Sequence, residues 1–550
     1  MQRTIRANGP NLLLGLAMAA AAVLILVLTA HLTFFGDCWE FLMNRRHLTA
    51  DALLEPHNEH IVLIPVLIMQ ASLRIFGMTS ARPEFVLLVV LLLAAAALLY
   101  VYLRRRVGPW LALFAAVVVL FLGPAYEVLL WTFELSYVGS IVFGLAMLLA
   151  LEREDQLGDR LACLFLILCF GFSSVGIAFA VAGAVAIGLG PRSSWRRRAF
   201  AVVVPVALFA VWYAGWGHNA ESHLSLHNVL ASPRYVAESI AVTVGALLGL
   251  GTDPTTGSAD PVWGRALVVA LVVCFGYRAY RQRGIPVGTW PVAAAALVNW
   301  FLTAFNFIPG REPTASRYQY LGAFFVLMVI ANLLQGVRIG RRTVLAGFAV
   351  TALILAGNLV VLKYGKNFFQ EQTTLTRSDT AALEIARPTV DPEFALSPEV
   401  AGTGALIDVS AARYFEAIDE FGSPAYTQAE LETAPPAGRR QADLVLAQAL
   451  PLSTVIEPGA FAEPGAGCQR LPAGEKPETA LAPGTNRIEV APGGEAKLSL
   501  RRFASGEYPV QAEAAPGGSA VELTVPADES PLPWYLMVEA SQPAWVCPAG

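Results

Sequence analysis

Long apolar segments alternate with short polar segments from about residue 11 to residue 362 of this 550-residue chain. Runs of about 18 or more apolar residues are typical of helices that cross the ~30 Å hydrocarbon core of a bilayer. Two further apolar stretches, 61–77 and 236–250, are predicted to be helices at the outer membrane interface. The pattern predicts about eleven membrane-spanning helices, at 11–34, 83–103, 110–124, 134–151, 160–173, 174–190, 199–216, 263–279, 289–308, 317–336 and 343–362.

Arginine clusters beside these segments predict the orientation, because Lys and Arg near helix ends stay in the cytoplasm. Clusters such as those at 104–106 and 196–198 all fall on one side of the membrane if there are eleven spans. The loop after the first span and the whole chain beyond 362 then fall on the other side. We therefore expect a multi-pass protein of the cell membrane with a cytoplasmic N-terminus and an extracytoplasmic C-terminal region.

The composition changes sharply after the last predicted span, where Pro, Gly, Glu and Ala dominate. Segments 410–421 and 427–450 are predicted to be helical, and short alternating segments between Gly/Pro turns follow, which favours a small β-sandwich. The predicted fold class is therefore a polytopic α-helical membrane protein whose extracytoplasmic C-terminal α/β region ends in a β-sandwich. Its predicted parts are a transmembrane region, an extracytoplasmic linker with a helical segment and an extracytoplasmic β-rich domain, at 1–362, 363–450 and 451–550.

Composition gives no support to nucleic-acid binding, and the positions of the cysteines predict one disulfide. The chain is 55% hydrophobic and 15% charged, and its net charge of −4 gives no support to nucleic-acid binding. Cys468 and Cys547 bracket the predicted β region. A disulfide between them is expected outside the cytoplasm, where it would stabilise so small a core by about 2–4 kcal/mol. The other four cysteines lack the spacing of metal ligands.

The densest group of ionisable side chains in the apolar part follows the first predicted span. Asp37 stands where this span leaves the membrane, and Glu40 comes three residues later. A half-desolvated carboxylate has a raised pKa and can act as a general base towards a hydroxyl. Alternatively, Asp37 caps the next helix, with Glu40 at the capping-box position. Both roles stay open, and they are compatible.

His57, Glu59 and His60 follow in the same loop. On a helix they would offer ligands to a divalent cation, but metal-binding histidine pairs more often stand four residues apart with a third ligand nearby. A polar cap before the helix at Ile61 explains the same residues, and so does a role in positioning substrate. We therefore assign no metal and no cofactor here, and keep a divalent cation as the alternative.

Two more groups lie on the predicted outer side. Arg311, Arg317 and Tyr318 precede or begin a late span, and guanidinium groups bind phosphate through paired hydrogen bonds. Arginines at an interface also reach towards lipid headgroups without any further role. Trp131 and Glu134 combine aromatic and acidic character, which suits sugar binding, although aromatic belts occur in most membrane proteins.

The order of these features carries a resemblance. The chain resembles the GT-C superfamily of membrane glycosyltransferases in the order of four features. These are one span, an outer loop that starts with an acidic motif, a surface helix and a span that ends in arginines. The residues that carry the likeness are 37–40, 57–65, Phe76-Gly77 and 316–318. Members of that superfamily use polyprenyl-phosphate-linked sugars. The resemblance implies that Asp37 is the catalytic base, although Cys38 stands where many members have a second acidic residue.

The resemblance implies an inverting transfer of sugar from a polyprenyl-phosphate-linked donor to a cell-envelope glycan or other extracytoplasmic acceptor. Asp37 would deprotonate the acceptor hydroxyl, Arg317 and Arg311 would stabilise the departing phosphate, and the loop from His57 to His60 would orient the acceptor or the base. Two other classes stay open. One is a transporter or flippase of lipid-linked envelope precursors, and the other is a non-catalytic scaffold for envelope assembly.

Overall fold

The computed structural model describes the chain except for residues 1, 338, 398–399, 401–404, 408, 466 and 548–550, and except for the side chains of 2–8. Its α-helices, in chain order, are α1 Gln2–Leu28, α2 Asp37–Asn44, α3 Ala50–Leu54, α4 Leu63–Phe76, α5 Arg82–Val107, α6 Pro109–Leu120, α7 Tyr126–Leu130, α8 Leu135–Leu151, α9 Gln156–Phe172, α10 Gly176–Gly188, α11 Trp195–Arg198, α12 Phe200–Gly215, α13 Leu226–Leu247, α14 Val262–Gln282, α15 Thr289–Phe305, α16 Ser316–Leu333, α17 Arg341–Ile385, α18 Ala411–Phe421, α19 Gln428–Thr433 and α20 Pro436–Ala449. Short 3-10 helices lie at Gly123–Ala125, Thr132–Glu134, Arg192–Ser194 and Gly217–Asn219.

The strands follow mainly after the last helix. They are β1 Ala395–Leu396, β2 Val409–Ser410, β3 Ser453–Glu457, β4 Gln469–Leu471, β5 Glu478–Leu481, β6 Gly484–Val490, β7 Glu495–Arg501, β8 Val510–Gln511, β9 Ala515–Pro516, β10 Ala520–Val525, β11 Trp534–Ala540 and β12 Ala544–Cys547. This order confirms the predicted fold class, in which a polytopic helical region is followed by a mixed region that ends in β-structure.

The chain divides into two compact units. The first comprises Met1–Leu32, Arg45–Ser72 and Ala81–Phe369, and the second comprises Thr33–Asn44, Leu73–Ser80 and Gln370–Gly550. The predicted boundaries at 362 and 450 are not those of the units, because α17 runs unbroken past residue 362 and because the helices up to 450 cluster with the β-region. The short segment that carries Asp37 belongs to the second unit, although its neighbours in sequence belong to the first.

Every segment predicted to span the membrane contains a helix, although some of these helices end before the predicted limit, as α1 does at Leu28. Within the described residues, five helices are long and apolar enough to cross a bilayer, or up to seven if each of two bent helix pairs is one span. The bent pairs are Pro109–Leu120 with Gly123–Leu130 and Arg192–Arg198 with Phe200–Gly215. The multi-pass character is thus present, while the number of eleven and the orientation remain predictions.

The two segments expected at the membrane interface behave differently. The first forms α4, a helix of 14 residues, close to its predicted limits. The second is the end of α13, where every residue from 241 to 247 is buried and where the helix packs on α14, α15 and α16. A helix resting on a membrane surface would leave one side uncovered by protein. The interfacial assignment of 236–250 is therefore wrong for this part of the helix.

The second unit contains two five-stranded antiparallel arrangements. One has the strand order β3-β10-β6-β12-β4, and the other has β5-β11-β7-β8 with β9 also paired to β7. Side chains such as Ile488, Val521, Leu500 and Leu536 are fully or almost fully buried, as the alternation in the sequence predicts. A disulfide joins Cys468, next to β4, to Cys547 at the end of β12, which is the pairing expected from the sequence.

Local chemistry sets the helix limits before this β-region. A capping box of Thr427 and Glu430 starts α19, since each side chain accepts a hydrogen bond from the backbone N–H of the other residue. Pro435 and Pro436 separate α19 from α20, because proline fits the first turn of a helix but not its interior. The segment 427–450, predicted to be helical, therefore consists of two helices that these prolines separate.

Asp443 of α20 connects the helices of the second unit to its β-region. Its buried carboxylate accepts hydrogen bonds from the backbone N–H groups of Arg502, Phe503 and Ala504 at 2.9, 2.8 and 3.0 Å. These three residues follow β7, so one side chain fixes the path of the chain as it leaves that strand. Hydrogen bonds to a charged acceptor are stronger than those between neutral groups.

We expect Asp443→Ala to destabilise the second unit by about 3 kcal/mol, because three buried N–H groups lose their acceptor. Hydrogen exchange of the full-length protein in detergent, read at the amides of 502–504, measures this loss. Glu507→Ala is the matched control, since Glu507 forms an exposed ion pair with Arg440 of the same helix at 3.6 Å. Unchanged exchange at 502–504 in Asp443→Ala would contradict the proposed connection.

Candidate functional site

A polar cavity of about 150 Å³ lies in the first unit, at the start of α10, the end of α15 and the start of α16. Its lining combines two ionised groups, Glu59 and Arg317, with several hydroxyl, amide and imidazole groups. The lining residues are Glu59, His60, Tyr137, Ser174, Val175, Ile177, Asn299, Leu302, Thr303, Asn306, Arg317, Tyr318 and Leu321. Four residues predicted as substrate-binding from two separate parts of the sequence therefore line one cavity, namely Glu59, His60, Arg317 and Tyr318.

A tight turn presents Glu59 and His60. The backbone groups of His57 and His60 exchange two hydrogen bonds of 2.9 Å, and Asn58 adopts a positive φ of 50°, which asparagine tolerates better than most residues. Ser174 fixes the turn from the other side, because its hydroxyl donates to the carbonyl of Glu59 at 3.1 Å and accepts from the N–H of Ile61 at 3.3 Å. The segment is a turn here, and not a helix that could present paired metal ligands.

Glu59 forms a close ion pair with Arg311. Both of its carboxylate oxygens accept from Nη1 of Arg311, at 3.0 and 2.9 Å. Burial by itself would raise the pKa of Glu59, but His60, the charge of Arg311 and the hydrogen bonds that the carboxylate accepts together lower it below its ordinary value. Glu59 is therefore ionised at neutral pH and holds Arg311 in place.

His60 sits between Glu59 and two hydroxyl groups. Its Nε2 lies 3.4 Å from the hydroxyl of Tyr137 and 3.9 Å from Glu59, and its Nδ1 lies 3.5 Å from the hydroxyl of Ser173. Burial lowers the pKa of His60, Glu59 opposes this, and His57 and Arg311 add to the lowering. His60 is therefore a neutral hydrogen-bonding group at pH 7.

Arg317 is held by Glu127 and by the backbone. Its backbone N–H donates to Oε2 of Glu127 at 3.1 Å, and its guanidinium Nη1 is 3.5 Å from the same oxygen. Its Nη2 donates to the carbonyl of Gly310, and its guanidinium lies 5.1 Å from the ring centre of Tyr318. Glu127 therefore contacts both the backbone N–H and the guanidinium of Arg317, and so orients this side chain. A guanidinium held this way suits an anionic group of a ligand.

A polar stripe on α15 completes the cavity, and it was not among the predicted site residues. Asn299, Thr303 and Asn306 stand four and three residues apart, which places them on one face of the helix. All three interrupt an otherwise apolar segment. This spacing is visible in the sequence and is the signal by which the residues could have been found.

Other predicted residues lie elsewhere. His57 is buried with its ring 5.0 Å from that of Phe133, and Arg311 contacts the site through Glu59 without lining the cavity. Trp131 packs on Phe133 at 5.5 Å and is 8% exposed, and Glu134 is 1% exposed. Neither Trp131 nor Glu134 lines the cavity, so the structure gives no support to sugar stacking on this tryptophan.

The divalent-cation alternative also lacks support. In the described part of the chain, no group of three or more His, Cys, Asp or Glu side chains is placed to hold a metal ion. His60 instead contacts hydroxyl groups, and Glu59 is occupied by Arg311. The residues of this turn therefore fit the role of positioning a ligand better than that of binding a metal.

Asp37 and Glu40 lie in the second unit, in the first turn of α2. Both side chains are half-buried, whereas Cys38 is 1% exposed. The first turn of a helix favours negative charge, so both carboxylates suit this position whether or not they act in catalysis. Cys38, which stands where a second acidic group was expected, is instead part of the core.

An apolar cavity of about 320 Å³ neighbours the polar one along α15 and α16. On α16, Leu321 lines the polar cavity and Phe325, about one turn later, lines the apolar one. On α15, Asn299 and Trp300 line the polar and the apolar cavity respectively. Every residue that lines the second cavity is apolar: Ile240, Val244, Val268, Leu271, Val272, Phe275, Ala293, Ala296, Leu297, Trp300, Phe325, Val326, Val329, Ile330 and Leu333.

Comparisons with known proteins add one similarity. No protein-family model matches the chain, and no curated protein matches it. Among solved structures, the chain is similar to the crystal structure of ArnT from Cupriavidus metallidurans bound to undecaprenyl phosphate. The two have 14% sequence identity and a TM-score of 0.45, over 73% of this chain and 84% of the other. At this identity and TM-score, the similarity assigns neither a family nor an activity to this chain.

The pKa shifts of Glu59 and His60 predict how stability depends on pH. A lowered pKa contributes stability above the unfolded-state value, and this contribution is lost as pH falls towards the folded-state value. We therefore expect the melting temperature to fall below about pH 6.5 through His60 and again below about pH 4.5 through Glu59.

Thermal unfolding in detergent between pH 8 and pH 4 provides the measurement. His60→Gln should flatten the first decrease and Glu59→Gln the second, each relative to wild type. Glu55→Gln is the control, because Glu55 is an exposed carboxylate in the same loop. Curves of wild type and Glu59→Gln that stay parallel down to pH 4 would show that the pair with Arg311 does not lower the pKa of Glu59.

Proposed function

We propose that this protein is a membrane glycosyltransferase of the GT-C type that uses a polyprenyl-phosphate-linked sugar. The observation that carries the proposal is the pair of cavities along α15 and α16. The first offers a guanidinium, hydroxyls and amides, and the second offers only apolar side chains. A ligand that suits both has a charged, hydroxyl-rich head and a hydrocarbon tail, which describes a lipid-phosphate sugar.

The polar cavity suits the head of this donor. Arg317, which lines the cavity and is oriented by Glu127, would bind the phosphate and stabilise the charge that grows on it as the sugar leaves. Asn299, Thr303 and Asn306 supply amide and hydroxyl groups for the hydroxyls of a sugar. Glu59 keeps Arg311 in place, and neutral His60 offers a further donor or acceptor. The same resemblance that suggests the family assigns the phosphate contact to this region.

In the proposed reaction, Asp37 accepts the proton of the acceptor hydroxyl as its oxygen bonds to the anomeric carbon. The bond from that carbon to the phosphate oxygen breaks, and polyprenyl phosphate leaves from the opposite face, so the configuration inverts. Asp37 is proposed as the base because it begins α2, where its carboxylate is half-buried and so partly desolvated. Glu40, in the same helical turn, is the second candidate. The acceptor is proposed to be an extracytoplasmic glycan.

A transporter or flippase of lipid-linked precursors would use the same two cavities without Asp37. Such proteins typically pair charges on broken helices near the middle of the membrane. The charges of this site instead gather where α10 and α16 begin and α15 ends. This arrangement favours chemistry at one end of the helices over a path through them.

Asp37→Asn should lower kcat on the order of 100-fold to 10,000-fold, because asparagine keeps the size of the side chain but cannot accept the proton. The measurement is sugar transfer by purified protein in lipid, tested against a panel of polyprenyl-phosphate sugars. Glu55→Gln, in the loop before α4, is the matched control and should keep wild-type activity.

Each outcome of this experiment separates the candidates. Transfer by wild type and not by folded Asp37→Asn supports the base and identifies the donor. Equal transfer by both proteins would move the base to Glu40, which Glu40→Gln then tests. A wild-type protein that moves lipid-linked sugars across vesicles without transferring them would establish the transporter. Inactivity in both assays, with loss of function in cells on deletion of 388–550, would favour the scaffold.

Val268→Trp should raise the KM for a long-chain donor about tenfold, because the larger side chain fills the apolar cavity and removes about 1.4 kcal/mol of tail binding. A donor with only two isoprene units should be unaffected, since it does not reach that cavity. Val273→Trp is the matched control, because Val273 lies on the same helix, is 64% exposed and does not line the cavity. Equal KM values for both variants with the long donor would remove the tail from this cavity.

A further inference from the structure

The helix that carries Asp37 is built into the second unit by contacts on both of its sides. The N–H of Thr33 donates to the hydroxyl of Thr373 at 3.2 Å, and the N–H of Gly36 donates to the carbonyl of Ala405 at 2.8 Å. At the other end, Nη1 of Arg413 donates to the side-chain carbonyl of Asn44 at 2.6 Å. The segment is therefore held before and after α2, and Asp37 lies between the two attachments.

Trp39 is the central anchor of this segment. Its side chain is fully buried, and its indole N–H donates to the carbonyl of Phe34 at 3.2 Å, which closes the turn that leads into α2. Its ring lies 6.3 Å from that of Phe34 on one side and 6.3 Å from that of Tyr414 on the other. Trp39 follows Asp37 by two residues in the same helical turn, so the position of this ring fixes the direction of the Asp37 side chain.

Tyr414 is itself held in one place. It is fully buried in α18, and its hydroxyl donates to Oε1 of Glu384 at 2.7 Å. The hydroxyl of Ser423 donates to the same oxygen at 2.5 Å. Glu384 lies near the end of α17, so two helices of the second unit together fix the ring against which Trp39 packs.

We propose that Trp39 and Tyr414 are positioning residues for Asp37, and that the helices α17 and α18 are therefore part of the catalytic machinery. This inference rests on the proposed function, in which Asp37 is the base. It goes further by assigning a positioning role to α17 and α18, which lie more than 300 positions after Asp37 in the sequence.

Small misplacements of a catalytic group are costly. A shift of about 1 Å can reduce the rate on the order of 100-fold, without changing how substrate binds. Tyr414→Ala should therefore lower kcat on the order of 100-fold while KM stays within about twofold of wild type. Tyr414→Phe keeps the ring and loses the hydrogen bond to Glu384, so it should recover most of the activity. Such rescue by a conservative variant distinguishes positioning from a general loss of folded protein.

A second measurement does not depend on activity. Cys38 is 1% exposed because α2 is packed in place, and the rate of its alkylation in the denatured protein serves as the reference. The rate at which a thiol reagent alkylates Cys38, measured by mass spectrometry on the full chain, reports whether the segment stays in place. We expect this rate to rise at least about tenfold in Tyr414→Ala and little in Tyr414→Phe. Tyr535→Ala, in β11 of the same unit, is the matched control and should leave Cys38 protected.

The two measurements separate the inference from the function on which it rests. If wild type transfers no sugar, the proposed function fails, and the alkylation of Cys38 still decides whether Tyr414 holds α2. If wild type transfers sugar and Tyr414→Ala keeps its kcat, the positioning role is overturned whatever happens to Cys38. Should Tyr414→Ala fail to fold, Trp39→Phe replaces it, because it keeps an aromatic ring and removes the bond to Phe34. A kcat equal to that of wild type in folded Trp39→Phe overturns the inference as well.

Discussion

The need to compensate arginine charges in an apolar surrounding organises the candidate site. Arg311 is paired with Glu59 and Arg317 with Glu127, and the partners are 252 and 190 residues apart in sequence. An unpaired charge inside a helical membrane unit is expensive, so each pair fixes the approach of two distant segments. The turn before α4 and the start of α16 meet because of this requirement, and the polar cavity is the space that they leave.

The two ion pairs differ in how closely the carboxylate approaches the guanidinium. Glu59 engages Arg311 with both oxygens near 3 Å, which leaves this arginine mainly structural. Glu127 approaches the guanidinium of Arg317 only to 3.5 Å while it accepts from the backbone at 3.1 Å. The same type of ion pair thus serves once as a support and once as an orienting contact. Of the two arginines, only Arg317 lines the polar cavity.

Much of the fold could be predicted from the sequence because hydrophobic patterning is a local property. The apolar segments, the double-proline interruption before α20 and the strand around Val521 all follow from residues close together in the chain. The placement of α13 could not be predicted, since its burial depends on three helices that follow it. The predicted site residues were found in part, because charged groups next to spans are conspicuous. Trp131 looked like an aromatic of an exposed outer loop, and only the packing of Phe133 reveals that it is buried.

The polar stripe of α15 and the role of Tyr414 illustrate two kinds of missed information. The spacing of Asn299, Thr303 and Asn306 is a local pattern, so it is present in the sequence. The packing of Tyr414 on Trp39 is not predictable from local patterns, because the residues around Tyr414 give no indication that α2 packs there. Contacts between segments so far apart in sequence depend on the tertiary fold.

The distance in sequence between α2 and its supports has a consequence for synthesis. Asn44 and Arg413 are 369 residues apart, and ribosomes add about 5–20 residues per second, so roughly 20 to 75 seconds separate their appearance. Through that interval the nascent chain has its first helices and Phe34, but Tyr414, the other ring against which Trp39 packs, does not yet exist. The Asp37 helix can therefore reach its final environment only after α18 has been synthesised. A chain that stalls in the helical region would carry α2 without the contacts that hold it in the second unit.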